Sequence, residues 1–169
     1  MERKTHYFWA VRIPNHIKQT IHDELTRIKP IFQFKRWVDV HDYHITLAFL
    51  GSVKPQQLQS VIKLVGEAIK KQKAFTLEIE GLNVFGAQKS PRIFWAAVNE
   101  VDELFQLQEI VHKTCLEAGF TLETRPYHPH ITLARKWGGE EDFKMDDLIT
   151  HNPFREKALS FKVSEVVLY

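Results

Sequence analysis

Apolar residues recur along the chain with two periods, and each period predicts one type of secondary structure. Recurrence every three to four residues predicts amphipathic helices over residues 17–28, 58–69 and 104–115. Segments that alternate, or that are rich in aromatic and β-branched residues, predict strands over residues 5–13, 35–40, 44–50, 75–85, 92–98, 131–133 and 160–169. The mixture of helices and strands predicts a fold of the α+β class.

The order strand, helix and histidine-bearing strand occurs twice. His130 minus His44 is 86, and Trp95 minus Trp9 is also 86. At this offset Phe8-Trp9-Ala10 matches Phe94-Trp95-Ala96, and Ile21 and Leu25 of the first helix match Leu107 and Val111 of the third. We therefore expect a single domain over residues 1–169 that consists of two pseudo-symmetric lobes, each with one copy of the repeat.

The letters HITLA begin at His44 and again at His130. Side chains at positions i and i+2 of a strand share a face, so His44 lies on the side of Thr46, and His130 lies on the side of Thr132. The intervening Ile and Leu side chains are then expected in the core. An approximate two-fold axis would place two imidazoles and two hydroxyls around one cleft, with the rings facing each other across a gap the size of a phosphate.

Two imidazoles at a common centre suit acid–base chemistry, because an unperturbed histidine titrates near neutral pH. One ring can take a proton from water while the other gives a proton to a departing oxygen. Threonine hydroxyls can stabilise negative charge that develops on phosphate oxygens. Packing alone would explain the repeated Ile and Leu, but it gives no reason to repeat His and Thr.

Composition narrows the class of protein. Hydrophobic residues make up 44% and charged residues 26% of the chain, which is typical of a globular domain. The chain has neither a long apolar run nor a signal-peptide pattern at its start, so we expect a soluble, cytoplasmic protein. The net charge of +2 is too small to predict nucleic-acid binding by itself. The single Cys115 excludes an internal disulfide and a cysteine-based zinc site, and we expect it in the core.

Metal binding is the main chemical alternative for the histidines. Four imidazoles could coordinate zinc, and the candidates are His41, His44, His128 and His130. The interpretation is weakened by the spacing of His41 and His44, which places them on opposite faces of a strand. No acidic residue or cysteine recurs with the motif either. Basic residues lie near the predicted strands, namely Lys89, Arg92, Arg125, Arg135 and Lys136.

With HITLAFLG at residues 44–51 and PHITLAR at residues 129–135, the chain resembles the 2H phosphoesterase superfamily, which is named for two His-x-Thr/Ser-x motifs. Within it, the resemblance is to the bacterial and archaeal RNA 2′,3′-cyclic phosphodiesterases, also called 2′-5′ RNA ligase-like proteins. It extends over nearly the whole chain. The resemblance implies a bilobal α+β fold in which antiparallel sheets line a central cleft and helices cover the outer faces.

The resemblance also implies an activity: metal-independent hydrolysis of RNA 2′,3′-cyclic phosphate ends to 2′-phosphomonoesters, with 2′-5′ ligation in reverse in some members. His44 would be the proton donor and His130 the acceptor. Thr46 and Thr132 would hold the phosphate with Arg135, although strand parity places Arg135 on the Ile/Leu side. We expect no cofactor, no membrane contact and a monomer. Aromatic residues that could stack a base are Phe49, Tyr127 and Trp137.

Two other functions remain open from the sequence. The cleft could bind nucleotides or RNA ends without turnover, although binding alone needs no paired acid and base. The same chemistry could also act on another small cyclic phosphate. Specificity would then depend on loops such as residues 86–91 and 137–146.

Overall fold

The computed structural model describes residues 5–169, in which eight strands form one antiparallel sheet. The strands are β1 His6–Arg12, β2 Phe34–Trp37, β3 His44–Ser52, β4 Phe75–Ala87, β5 Ser90–Val98, β6 His130–Trp137, β7 Leu159–Val163 and β8 Val166–Leu168. Their order across the sheet is β7-β4-β5-β6-β3-β1-β8, with β2 also paired to β6. The predicted α+β class with antiparallel pairing is confirmed.

The helices follow the apolar periodicity. They are α1 Asn15–Ile28, α2 Pro55–Ile69, α3 Asp102–Glu117 and the short α4 Asp147–Thr150, and a 3₁₀ turn covers Val40–Asp42. The three long helices were predicted, whereas α4 was not, because four residues are too few for a periodic pattern. Buried side chains of α1, α2 and α3 belong to the same hydrophobic cluster as one face of the sheet. No helix among residues 5–169 has the length and apolarity that a membrane span requires.

The two strands that carry HITLA lie next to each other at the middle of the sheet. Their backbone pairing is limited to one residue pair, Ile45 with Ile131. Both side chains are fully buried, as is Leu133, and Leu47 is only 3% exposed. The predicted core face of the repeat is therefore confirmed. Because the sheet is continuous through this pair, the division of the chain into two lobes stays a prediction.

The predicted final strand over residues 160–169 is wrong in one respect, because Ser164 and Glu165 divide it into β7 and β8. These strands lie at opposite ends of the strand order, where β7 pairs with β4 and β8 pairs with β1. Two intervening residues span at most about 11 Å between Val163 and Val166, so the sheet must curl enough to bring the end of β7 within that distance of the start of β8. Arg12 on β1 also donates a 2.9 Å hydrogen bond to the carboxylate of Glu165, with which it forms an ion pair.

Cys115 is fully buried on α3, as predicted for a core residue. Burial raises the pKa of its thiol to about 11. The thiol is therefore protonated at neutral pH.

Candidate functional site

His44 and His130 begin the two central strands, and both side chains are half-buried. In each case Nδ1 contacts the backbone carbonyl two residues earlier, at 2.6 Å from Asp42 and 2.7 Å from His128. A carbonyl can only accept, so each Nδ1 carries the hydrogen and donates it. The neutral rings therefore present an unprotonated Nε2, the tautomer that a proton acceptor needs.

Local structure upstream of each motif fixes these carbonyls. Before His44, the side chain of Asp39 accepts a hydrogen bond from the backbone N–H of His41 and so caps the 3₁₀ turn. Before His130, Pro129 favours an extended conformation of His128. Each carbonyl is thus held by backbone geometry and does not depend on the identity of its own side chain.

Thr46 and Thr132 are half-buried, two residues after their histidines. The hydroxyl of Thr46 lies 3.1 Å from Nε2 of His44, so it donates to the neutral ring. The predicted sharing of a face by histidine and threonine is therefore observed directly in the first motif. In the second motif, Thr132 pairs with Trp95 across the sheet, on the side where Trp95 contacts His130.

Aromatic rings surround both imidazoles. His44 lies 4.7 Å from the ring of Phe8 and 6.0 Å from that of Tyr169, measured between centroids. His130 lies 5.2 Å from Phe85 in an edge-to-face arrangement. Phe8, Tyr169 and Phe85 were missed by the sequence analysis, because they are distant in the chain from the histidines that they contact. Their effect is to remove water from the rings.

This loss of water lowers the pKa of both imidazoles, because burial disfavours the charged form. For His44 the bond to the Asp42 carbonyl opposes the shift, while the charge of Lys18 adds to it. For His130 the neighbouring charges of His128 and His44 add to it. The two motif histidines are thus close enough for the charge of one to lower the pKa of the other.

Arg135 also lowers the pKa of both rings through its positive charge. Strand parity predicted this residue on the Ile/Leu side, and that prediction is wrong because β6 contains a bulge. Phe94 pairs with Ala134 and Trp95 with Thr132, which leaves Leu133 as an extra residue. Leu133 and Ala134 are both buried, so the alternation reverses and Arg135 emerges exposed on the side of the histidines.

A bulge occurs at the equivalent place in β3. Ala10 pairs with Thr46 and Trp9 with Ala48, which leaves Leu47 as the extra residue. The next side chain, Phe49, is 53% exposed. The repeated Leu-Ala thus supplies two consecutive buried residues at each bulge, which explains why the repeat extends beyond His-x-Thr.

The other two aromatic candidates have structural contacts. The hydroxyl of Tyr127 donates a 2.7 Å hydrogen bond to the carbonyl of Thr46. Trp137 donates from Nε1 to the carbonyl of Glu141 and packs against Phe143. Of the three predicted stacking residues, Phe49 is therefore the one that offers an exposed ring.

The repeat is not symmetric at the tryptophans. Trp9 pairs with Ala48, whereas Trp95 pairs with Thr132, so the registers of the two halves differ. Trp9 consequently joins the hydrophobic core, whereas Trp95 contacts the ring of His130. The shared offset of these residues in the sequence does not give them equivalent positions in the fold.

The remaining chemical candidates do not form a second centre. No three His, Cys, Asp or Glu side chains within residues 5–169 group closely enough to hold a metal ion. Arg125 forms an ion pair with Glu123, two residues earlier, at 2.8 Å, and both side chains are exposed.

A cavity of about 300 Å³ is lined by Phe8, Asp42, His44 and Tyr169. A larger cavity of about 450 Å³ between α2, α3 and the β7–β8 connection contains neither motif, so size alone does not identify the site.

Comparisons with known proteins found a matching family model and related sequences. A family model described as the 2′-5′ RNA ligase superfamily matches residues 14–169. The chain is 39% identical over 167 residues to the RNA 2′,3′-cyclic phosphodiesterase of Geobacillus stearothermophilus, covering 99% of this chain and 52% of that protein. It is 35% identical over 166 residues to the RNA 2′,3′-cyclic phosphodiesterase of Bacillus subtilis (strain 168), covering 98% and 87%. The chain thus spans about half of the first relative and most of the second.

The fold is also that of a solved structure. The crystal structure of E. coli LigT complexed with 3′-AMP superposes with a TM-score of 0.77 at 24% identity, covering 99% of this chain and 88% of that one. At this level of identity the likeness concerns the fold.

Proposed function

The chain belongs to the 2′-5′ RNA ligase superfamily, and from this premise we propose that it hydrolyses 2′,3′-cyclic phosphates at RNA ends to 2′-phosphomonoesters. The observation that carries the proposal is the pair of motif imidazoles, each fixed through Nδ1 so that Nε2 is the nitrogen that exchanges a proton. The names of the two bacterial relatives support the same substrate.

In the proposed reaction, His130 takes a proton from water as the water oxygen attacks phosphorus. The bond between phosphorus and the 3′ oxygen breaks, and protonated His44 gives its proton to that oxygen. The products are a 2′-phosphate and a 3′-hydroxyl. The rings end in the opposite protonation states and return to the first by exchange with solvent. A 5′-hydroxyl in place of water would give a 2′-5′ linkage by the same steps.

Thr46, Thr132 and Arg135 are the proposed phosphate-binding residues. The hydroxyls share a face with the imidazoles, and Arg135 brings a permanent positive charge near both rings. Hydrogen-bond donors and positive charge stabilise the negative charge on the non-bridging oxygens in the transition state. Within this proposal the protein acts in the cytoplasm as a monomer, and the steps above use no metal or other cofactor.

The test is to incubate purified protein with excess EDTA and an oligonucleotide that ends in a 2′,3′-cyclic phosphate. Phosphorus NMR should report loss of the cyclic phosphate and appearance of a 2′-phosphomonoester. A 3′-phosphomonoester would contradict the assigned leaving group. Tight binding by calorimetry without product would favour a non-catalytic binding module. Turnover restricted to cyclic nucleotides or another small cyclic phosphate would favour that substrate class instead.

A further inference from the structure

Strand β2 brings a second arginine beside Arg135. Arg36 and Arg135 are directly opposite each other in the antiparallel pair of β2 and β6. Directly opposed residues project to the same face of a sheet. The adjacent pair, Trp37 with Ala134, lies on the other face, where Trp37 contacts Phe94 of the core. Arg36 therefore lies on the face of the histidines.

Both arginines are exposed residues, and neither forms an ion pair with a carboxylate among residues 5–169. Like charges directly opposite each other destabilise a sheet. A bound anion would remove this repulsion, since guanidinium groups bind phosphate oxygens through paired N–H donors. The arrangement is therefore suited to an anionic ligand.

The position of the pair relative to the histidines indicates which anion. Along β6 from His130, the chain passes the β3 contact at Ile131 and then reaches the segment that pairs with β2. Arg135 lowers the pKa of both rings, and Arg36 is its paired neighbour on strand β2. The pair thus extends the positive surface from the two imidazoles towards β2.

We propose that Arg36 binds the phosphodiester that precedes the terminal cyclic phosphate of an RNA strand, while Arg135 lies between this group and the reacting phosphate. The inference rests on the proposed function and names its substrate class, an oligonucleotide. A cyclic mononucleotide has a single phosphate and leaves Arg36 without a ligand. The second phosphate contact therefore favours an RNA end over a free nucleotide.

The experiment compares kcat/KM of the wild-type protein and of Arg36→Ala on two substrates. One is a 2′,3′-cyclic mononucleotide, and the other is a trinucleotide that ends in the same cyclic nucleotide. Loss of one charge-assisted contact should lower kcat/KM about tenfold on the trinucleotide. It should leave the value for the mononucleotide unchanged. For the trinucleotide, the plot of log kcat/KM against log salt concentration should become shallower by about 1 in slope, the change expected when one phosphate contact is lost.

Arg27→Ala is the matched control, because Arg27 is an exposed arginine on α1. It should change neither substrate's value. Arg36→Lys should retain part of the preference for the trinucleotide, since the charge remains but the paired donors are lost.

Two outcomes overturn the inference alone. Equal losses on both substrates would place Arg36 at the reacting phosphate, and equal values for wild type and Arg36→Ala on the trinucleotide would leave it without a phosphate contact. In both cases the wild-type protein still opens the cyclic phosphate. Absence of ring opening on both substrates by the wild-type protein would instead overturn the proposed function, and this inference with it.

Discussion

Phe49 and Arg135 occupy equivalent places in the two central strands, since each is the first exposed side chain after a buried Leu-Ala pair. Both follow a bulge, and 135 minus 49 gives the same offset of 86 that separates the histidines. The same backbone feature, a bulge, therefore exposes a different side chain in each strand: an aromatic ring on β3 and a guanidinium group on β6. A nucleotide has both a base and a phosphate, so an aromatic ring suited to the base and a guanidinium group suited to the phosphate match its two parts.

Phe49→Ala should weaken substrate binding without unfolding the protein. Stacking of a base on an aromatic ring contributes about 1–3 kcal/mol, so KM should rise roughly tenfold while kcat changes little. The ring is 53% exposed, so its removal creates no cavity and the melting temperature should stay close to that of the wild type. Steady-state kinetics and thermal unfolding check both points. Ile62→Ala, at an exposed apolar position of α2, is the control and should leave KM unchanged.

His44→Ala and His130→Ala should each lower kcat by about 10²–10⁴-fold, the usual contribution of one general acid or base. The double variant should be little worse than either single variant, because the two rings act in one step. Single-turnover assays on a cyclic-phosphate oligonucleotide measure these losses. His16→Ala, on the exposed face of α1, should retain wild-type activity. Full activity in both single motif variants would refute the acid–base mechanism.

The pH dependence of kcat/KM should be bell-shaped with its maximum below the ordinary histidine pKa of about 6.5. Burial lowers the pKa of both imidazoles, and the proposed reaction needs one protonated and one neutral ring. That state is most populated between the two apparent pKa values of the coupled pair. Activity should therefore fall as pH rises above this maximum, because the acid loses its proton.

The variant Arg135→Ala tests the direction in which a neighbouring charge shifts the pH profile of kcat/KM. The positive charge of Arg135 lowers the pKa of both rings, so its removal should move the whole profile to higher pH. It should also reduce the maximal kcat/KM, because a phosphate contact is lost. Arg27→Ala should leave the profile in place. A profile that stays fixed or moves to lower pH in Arg135→Ala would contradict the assigned electrostatics.

The sequence was sufficient for features that depend on local periodicity and insufficient for those that depend on strand register. Alternation along β3 and β6 correctly assigned the buried Ile and Leu residues and the shared face of His44 and Thr46. The bulges that turn Phe49 and Arg135 towards the site are mismatches between paired strands, which one segment of sequence cannot reveal. Arg36 was missed for the same reason, since its neighbour Arg135 is distant in the chain.

Tyr127→Phe should lower the free energy of unfolding by about 1 kcal/mol, the net value of a typical hydrogen bond. The Tyr127 hydroxyl donates to the carbonyl of Thr46, which links the segment before β6 to the middle of β3. Burial raises the pKa of this phenol, so the donor stays protonated throughout the neutral range. Denaturant unfolding measures the change. An unchanged midpoint and slope would indicate that the bond contributes nothing to stability.

Lys18→Met should impair both stability and turnover, because Lys18 connects α1 to the turn that precedes His44. Its side chain is 7% exposed, and Nζ donates a 2.9 Å hydrogen bond to the carbonyl of His41. The adjacent carbonyl of Asp42 holds Nδ1 of His44. Loss of the donor removes this hydrogen bond, and a typical hydrogen bond contributes about 1 kcal/mol to the free energy of unfolding.

A purely structural role for Lys18 would lower stability and leave the kinetics of the folded protein unchanged. A positioning role predicts a fall in kcat with little change in KM, because His44 loses its fixed orientation in the reaction step. The charge of Lys18 also lowers the pKa of His44, so the pH profile of kcat/KM should move to higher pH in the variant. Lys63→Met makes the same substitution on an exposed face of α2 and should leave kcat, KM and the profile unaltered.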